Sequence, residues 1–225
     1  LVRQSNEDAF LAEPAKGLFA VADGLGGHLA GEVASSQALK ILQQYFSSRS
    51  SAPTPELLAE AVKQANSHVF RLAQNSANRN GMGTTLTAVL LSDSEGLIAH
   101  VGDSRAYLLT DEGLQQITED HSYVGELLRQ GQISEAEARH HPRRNMLTQA
   151  LGVDPELEIR LNRVQLLGIR LLLLCTDGVS GVLENKAIEQ LLQGPKSLED
   201  KVEAICQAVL ERGAPDNLTV VLVKP

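Results

Sequence analysis

Five acidic sites stand where a core-building sequence has no use for them: Glu7-Asp8, Asp23, Asp103, Asp177 and Asp216. Asp23-Gly24 and Asp177-Gly178 repeat one local design, an apolar run with a carboxylate at its end and then a glycine. A glycine there lets the chain turn sharply and keeps the backbone carbonyl accessible. Each pair alone reads as an ordinary turn or helix-capping dipeptide. Taken together, each at the border of an apolar run, the acids read as a metal site. If those borders converge, the carboxylates crowd one small volume and their repulsion calls for cations. Hard oxygen ligands of this kind suit Mg2+ or Mn2+ far better than zinc.

The elements that must position these acids follow from pattern. Residues 17–22 form a compact apolar run, a strand delivering the Asp23-Gly24 turn. Ala34, Ala38, Ile41, Leu42 and Tyr45 keep a helical period, and Thr54-Pro55 opens a second helix with Leu58, Val62, Ala65, Val69 and Leu72 inward. Residues 84–91, 97–101, 106–110 and 114–118 are short, rich in β-formers and separated by turn-forming residues. Connections that short imply antiparallel pairing, because parallel strands need a crossover of about a dozen residues or more. Residues 122–152 are polar and helical in part, with a Ser134-x-x-Glu137 capping box, and read as an insertion over one end of the sheet. Residues 159–164 and 169–176 return to strand. Ser197-x-x-Asp200 then opens a helix with Val202, Ile205, Cys206 and Val209 inward, ended by Gly213, and residues 218–223 are a last strand. Strands and helices come in blocks, which predicts an α+β fold with sheets inside and helix pairs outside. No repeat or linker divides the chain, so residues 1–225 read as one domain.

Composition narrows the partners. The net charge of −8, from 28 acidic against 20 basic side chains, argues against nucleic acid or an anionic membrane. No apolar run approaches the roughly 20 residues that span a bilayer. Two cysteines are too few for a disulfide framework and favour a reducing compartment, read here as the cytoplasm. The chain opens at Leu1 without methionine or signal-peptide pattern and reads as trimmed from something longer.

Other motifs compete for chemistry. Cys206-x5-Arg212 matches the spacing of a cysteine-dependent phosphatase loop, but Gln-Ala-Val-Leu-Glu between them makes an amphipathic helix rather than a phosphate cradle. Gly26-x4-Gly31 hints at a P-loop, with Glu32 where the lysine must stand. His140-His141 are adjacent and diverge on any regular element. With Arg139, Arg143 and Arg144 they read as a solvated basic patch, phosphopeptide contact through Arg143 and Arg144 being the functional alternative.

Six segments, in order, carry a resemblance to a known family: Arg3-x-x-Asn6-Glu7-Asp8-Ala9, Val21-Ala22-Asp23-Gly24-Leu25-Gly26-Gly27-His28, Gly83-Thr84-Thr85, Gly102-Asp103-Ser104-Arg105, Cys175-Thr176-Asp177-Gly178-Val179 and Asp216-Asn217-Leu218-Thr219. The chain resembles the metal-dependent protein phosphatases (PPM, protein phosphatase 2C) of compact bacterial type. The resemblance implies an α-β-β-α sandwich, two antiparallel sheets flanked by helix pairs, with residues 122–152 as the variable flap, closed by residues 144–152. It implies hydrolysis of protein phosphoserine and phosphothreonine without a phosphoenzyme, by a monomer set against a Ser/Thr kinase. It implies two core Mn2+ or Mg2+ ions bridged by Asp23, with the Gly24 carbonyl on one. Asp177 and Asp216 complete the other, Glu7 and Asp8 act through coordinated waters, and a third ion falls to Asp103 and Asp177. Arg3 grips the substrate phosphate. The family begins with a further strand before the arginine motif, expected upstream of Leu1.

Phosphate monoesters resist hydrolysis because a weak nucleophile must approach a dianion and expel a poor leaving group. Two cations address both problems, and the Arg3 guanidinium suits the remaining oxygens. An alkoxide also needs a proton. His28, five residues after Asp23, is the candidate acid, the alternative being a helix-entry residue that only orders the glycine-rich turn. A catalytically silent phosphopeptide-binding module on the same fold is the reading from another class. Such a module should lose metal aspartates, and this chain keeps them. A two-metal nuclease lacks the aromatic material for base stacking, with four Phe, three Tyr and no Trp.

Overall fold

The computed structural model describes residues 3–27, 29–47, 54–75 and 81–225. Strands β1 (Asp8–Glu13), β2 (Leu18–Leu25), β3 (Gly83–Thr84), β4 (Leu86–Leu91), β5 (Glu95–Val101) and β8 (Arg160–Gln165) form one sheet in the order β1-β2-β4-β5-β8, with β3 beside the end of β2. Strands β6 (Arg105–Thr110), β7 (Gly113–Gln116), β9 (Leu171–Cys175) and β10 (Val220–Val223) form the other, ordered β10-β9-β6-β7. Every strand pairing among the described residues is antiparallel, as the short connections require.

Period-two alternation divides the core into layers. In β2, Leu18, Ala20 and Ala22 meet helices α1 (Leu29–Ser47) and α2 (Pro55–Gln74), while Phe19 and Val21 meet the second sheet. In β9, Leu172 and Leu174 face the first sheet, and Leu171, Leu173 and Cys175 face helices α6 (Asn185–Leu192) and α7 (Leu198–Glu211). Burial on both faces is why that run is apolar throughout. The result is the α+β sandwich expected from the sequence. Asn185–Leu192 is a helix that the sequence pattern did not reveal, and it completes the second pair.

Capping signals held in space. The Thr54 hydroxyl accepts from Leu57 N at 3.3 Å, and both residues of the Ser134/Glu137 and Ser197/Asp200 boxes bond reciprocally. The flap carries helices α3 (Tyr123–Arg129) and α4 (Glu135–His140). Lys201, 5% exposed, donates its ammonium protons to the carbonyls of Leu192, Gln193 and Gly194, where a cation complements the dipole at the end of α6.

One local reading needs correction. Asp23-Gly24 is not a turn: β2 runs through both, and the chain turns at Gly26 and Gly27, with φ of 108° and 78°. Asp177-Gly178 likewise opens the short helix α5 (Asp177–Ser180) after Thr176. Both glycines answer to close approach. A Cβ on Gly24 would lie 2.1 Å from the Gly31 carbonyl oxygen, and one on Gly178 would lie 1.7 Å from that of Asn217. Cys206 of α7, expected to face inward, is only half-buried.

Candidate metal centre

The register of β1 against β2 sets Asp8 opposite Asp23. Asp103 sits in the connection between β5 and β6, where Gly102 takes φ of 103° and leaves no room for a side chain against Thr85. The Thr85 hydroxyl accepts from Asp23 N at 2.9 Å and hydrogen-bonds the Ser104 hydroxyl at 2.7 Å, tying two acid-bearing segments together. Asn217 does the same for a third: its Oδ1 accepts from Glu7 N at 3.0 Å and its Nδ2 donates to Ser5 O at 3.1 Å. His121 clamps the Asp103 turn, accepting from Gly102 N through Nδ1 and donating its backbone N–H to Gly102 O.

These braces bring Arg3, Glu7, Asp23, Gly24, Asp103, Asp177 and Asp216 to the wall of one cavity of about 240 Å3. Asp8 stands behind them. Its Oδ2 accepts from the hydroxyls of Thr176 and Thr219, each at 2.8 Å, and its Oδ1 is buried without a partner. Asp177 Oδ1 is also buried and unpartnered. Buried unpaired carboxylate oxygens are costly, and a bound cation is what such oxygens fit.

The electrostatics agree. Burial, then the charges of Asp177, Asp8 and Asp103, pushes Asp23 up to about 10. Burial pushes Asp8 up to about 6 against the pull of its two threonines. Asp103 is raised by burial and then by the charges of Asp177 and Asp120, and Asp177 by burial and the charge of Asp216 against a hydrogen bond with Asp23 that lowers it. No three His, Cys, Asp or Glu side chains among the described residues form a closed cage. The carboxylates line a shared space, an arrangement suited to ions that retain several waters.

A pH dependence follows. Asp8 and Asp23 bind protons more tightly folded than unfolded, so without cations the folded state carries the extra protons and stability falls as pH rises. In chelator, the melting temperature should drop between about pH 4 and about pH 10, and Mn2+ should remove most of that slope. A flat profile in chelator would contradict the crowding of these acids.

The remaining sequence candidates divide. Arg3 Nη2 lies 2.7 Å from Asp216 Oδ2 in an exposed ion pair at the cavity mouth. His28 lies outside the described residues. Arg143 stacks 5.4 Å from the Tyr123 ring centroid, away from the cavity lining, whereas Arg144 lines a neighbouring cavity. Cys206 lies within α7, where burial pushes its thiol up, and Arg212 donates to Ala208 O, so no phosphate loop exists there. Sequence reasoning missed Thr85, Thr176, Thr219 and Asn217 as braces. All four stand inside the quoted motifs, which was the available signal. Among the described residues no helix is long and apolar enough to cross a membrane.

Two packed sheets with buried, mutually repelling carboxylates at one end define a metal-dependent hydrolytic centre. Residues 2–223 match the family model described as Protein phosphatase 2C. The chain belongs to the protein phosphatase 2C family. It is 38% identical over 230 residues to the serine/threonine phosphatase stp of Listeria welshimeri, covering 99% of this chain and 91% of that one. Its structure superposes on that of serine/threonine phosphatase Stp1 from Staphylococcus aureus with a TM-score of 0.95 at 34% identity, over 100% of this chain and 91% of that one. The catalytic domain of serine threonine protein phosphatase PstP, solved in complex with two manganese ions, matches with a TM-score of 0.89 at 35% identity, over 100% and 93% of the two chains.

Proposed function

We propose that the chain hydrolyses phosphoserine and phosphothreonine esters of proteins, with water as nucleophile and no phosphoenzyme. The observation that carries this is the pair of orphaned, buried carboxylate oxygens on Asp8 and Asp177 within a carboxylate-walled cavity beside Arg3. When bound, two divalent cations, Mn2+ or Mg2+, lower the pKa of water and neutralise charge on the phosphoryl oxygens. Asp23, the Gly24 carbonyl, Asp177 and Asp216 would hold them, with Glu7 and Asp8 further out and a third place at Asp103 and Asp177. Arg3, paired with Asp216, orients the phosphate. His28 remains the candidate donor to the leaving oxygen from its place in the sequence. The substrates are phosphorylated proteins opposed by a Ser/Thr kinase. The two free cysteines suit a reducing compartment, read as the cytoplasm, where the chain would act as a monomer.

The test is hydrolysis of a phosphothreonine peptide with Mn2+, with EDTA and after thiol alkylation. Activity should vanish in EDTA and survive alkylation, and the reverse pattern would sink the proposal. Arg3→Ala should raise KM by about ten- to a hundredfold, the worth of a charge-assisted contact, with metal affinity kept. If calorimetry finds metal affinity falling with it, Arg3 serves Asp216 rather than substrate.

A further inference from the structure

Two buried histidines, His121 and His100, stand beside the Asp103 turn, and the chemistry described above uses neither. Their ring centroids lie 4.8 Å apart, with the planes tilted by 43°. His100 is held by the Thr87 hydroxyl at 2.9 Å and donates from Nε2 to the Glu119 carbonyl at 3.0 Å. The Thr87 hydroxyl in turn donates to Ser104 O at 2.7 Å. His121 takes the residue on the other side of Asp103. Its Nδ1 accepts from Gly102 N at 3.2 Å, and its backbone N–H donates to Gly102 O at 2.7 Å. Asp103 is therefore gripped through both of its chain neighbours. The carboxylate lines the cavity, whereas Thr87, His100 and His121 do not.

The His121 ring is used at one end only. Because Nδ1 accepts, the proton of the neutral ring sits on Nε2, and that nitrogen is buried without a partner among the described residues. Burial, then the charges of Arg160 and Arg129, lowers the pKa of the ring and keeps it in the neutral form that can accept. An idle buried donor is costly, and what this side chain does in spite of it is hold the Gly102 N–H. No strand takes that N–H, since β5 ends at Val101 and Gly102 turns away with φ of 103°. Without Nδ1 it would be buried and unpaired, and the turn that carries Asp103 would lose one of the two bonds fixing Gly102. Resting on the metal-dependent reading above, we infer that His121 is a positioning residue for Asp103, its Nδ1 fixing the turn that presents this carboxylate to a cation, with His100 as the wall that steadies the ring.

The test sets His121→Asn against His121→Gln. Asparagine keeps an acceptor at about the reach of Nδ1, whereas glutamine carries its amide on to the place of the idle Nε2. Mn2+ binding is read by calorimetry, and the melting temperature in chelator separates loss of aim from loss of fold. His121→Gln should weaken the loosest Mn2+ site by about tenfold, the usual cost of losing a group that orients a ligand, and His121→Asn should stay within about threefold of wild type. Positioning also predicts non-additivity: in an Asp103→Asn background, His121→Gln should weaken Mn2+ binding no further. Equal losses in the two variants overturn the assignment, as does a second full loss on top of Asp103→Asn. Wild-type affinity in His121→Gln overturns it too. Should His121→Gln not fold, His121→Asn decides alone: affinity near wild type upholds the role, and a loss of about tenfold overturns it. The metal-dependent reading fails separately, if the wild-type chain binds no Mn2+.

Discussion

Asp177→Asn lowers turnover by about a thousandfold or more at saturating Mn2+, yet yields a chain that melts higher than wild type in chelator. The loss follows from the several kcal/mol of transition-state charge stabilisation that a metal centre supplies. The gain follows from the position of Asp177 among the acids. Its charge raises Asp8, Asp23 and Asp103 alike, and its own Oδ1 is buried without a partner. Asparagine is nearly the same size and removes the charge that the other three share as a neighbour. The increment in melting temperature on adding Mn2+ should shrink in the same variant, because binding to the folded state is the source of that increment. Circular dichroism and phosphopeptide turnover decide the matter. Near-normal turnover would exclude Asp177 from the cluster, and a lower melting temperature in chelator would show that its carboxylate is structural.

Gly178→Ala has the largest expected effect on folding. A Cβ there would fall 1.7 Å from the Asn217 carbonyl oxygen and 3.2 Å from Leu218 Cα, and both are backbone atoms with no rotamer to escape into. The segment it displaces carries Asp216 and the Asn217 side chain that braces Glu7. Overpacking at this level costs about 3 kcal/mol or more, which for a chain of this size lowers the melting temperature by about 6–12 °C. Activity of the soluble fraction should fall too, since the Asp216 segment moves. A melting temperature within a degree or two of wild type would mean that the contact is looser than described.

The layering was legible because local signals agreed with tertiary demands. Leu171–Cys175 had to be buried on both faces, and Thr54, Ser134 and Ser197 cap helices by contacts no more than three residues away. Other features depend on partners that no local pattern encodes. Helix α6 starts at Asn185, and the side chain of Glu184 before it makes no capping hydrogen bond, so nothing punctuates it. Asp23-Gly24 reads as a turn in sequence because glycine marks both turns and close approaches, and only the packing of Gly31 distinguishes them. The acids of the site could be picked out one at a time by their place at the borders of apolar runs. What supports them could not. The two threonines that hold Asp8 are 168 and 211 residues away in the chain, and Lys201 closes a helix end that has to be located in space first.

The carboxylates around the cavity belong to neither sheet alone. Asp8 and Asp23 ride on β1 and β2 of one, Asp177 and Asp216 flank β9 and β10 of the other, and Asp103 sits on the link that passes from β5 to β6. The centre is therefore an interlock. A fragment holding a single sheet would have only part of the proposed ligand set. On the ligand set proposed above, the centre is complete only when both sheets and the link from β5 to β6 are in place, so completing the fold would also arm the enzyme.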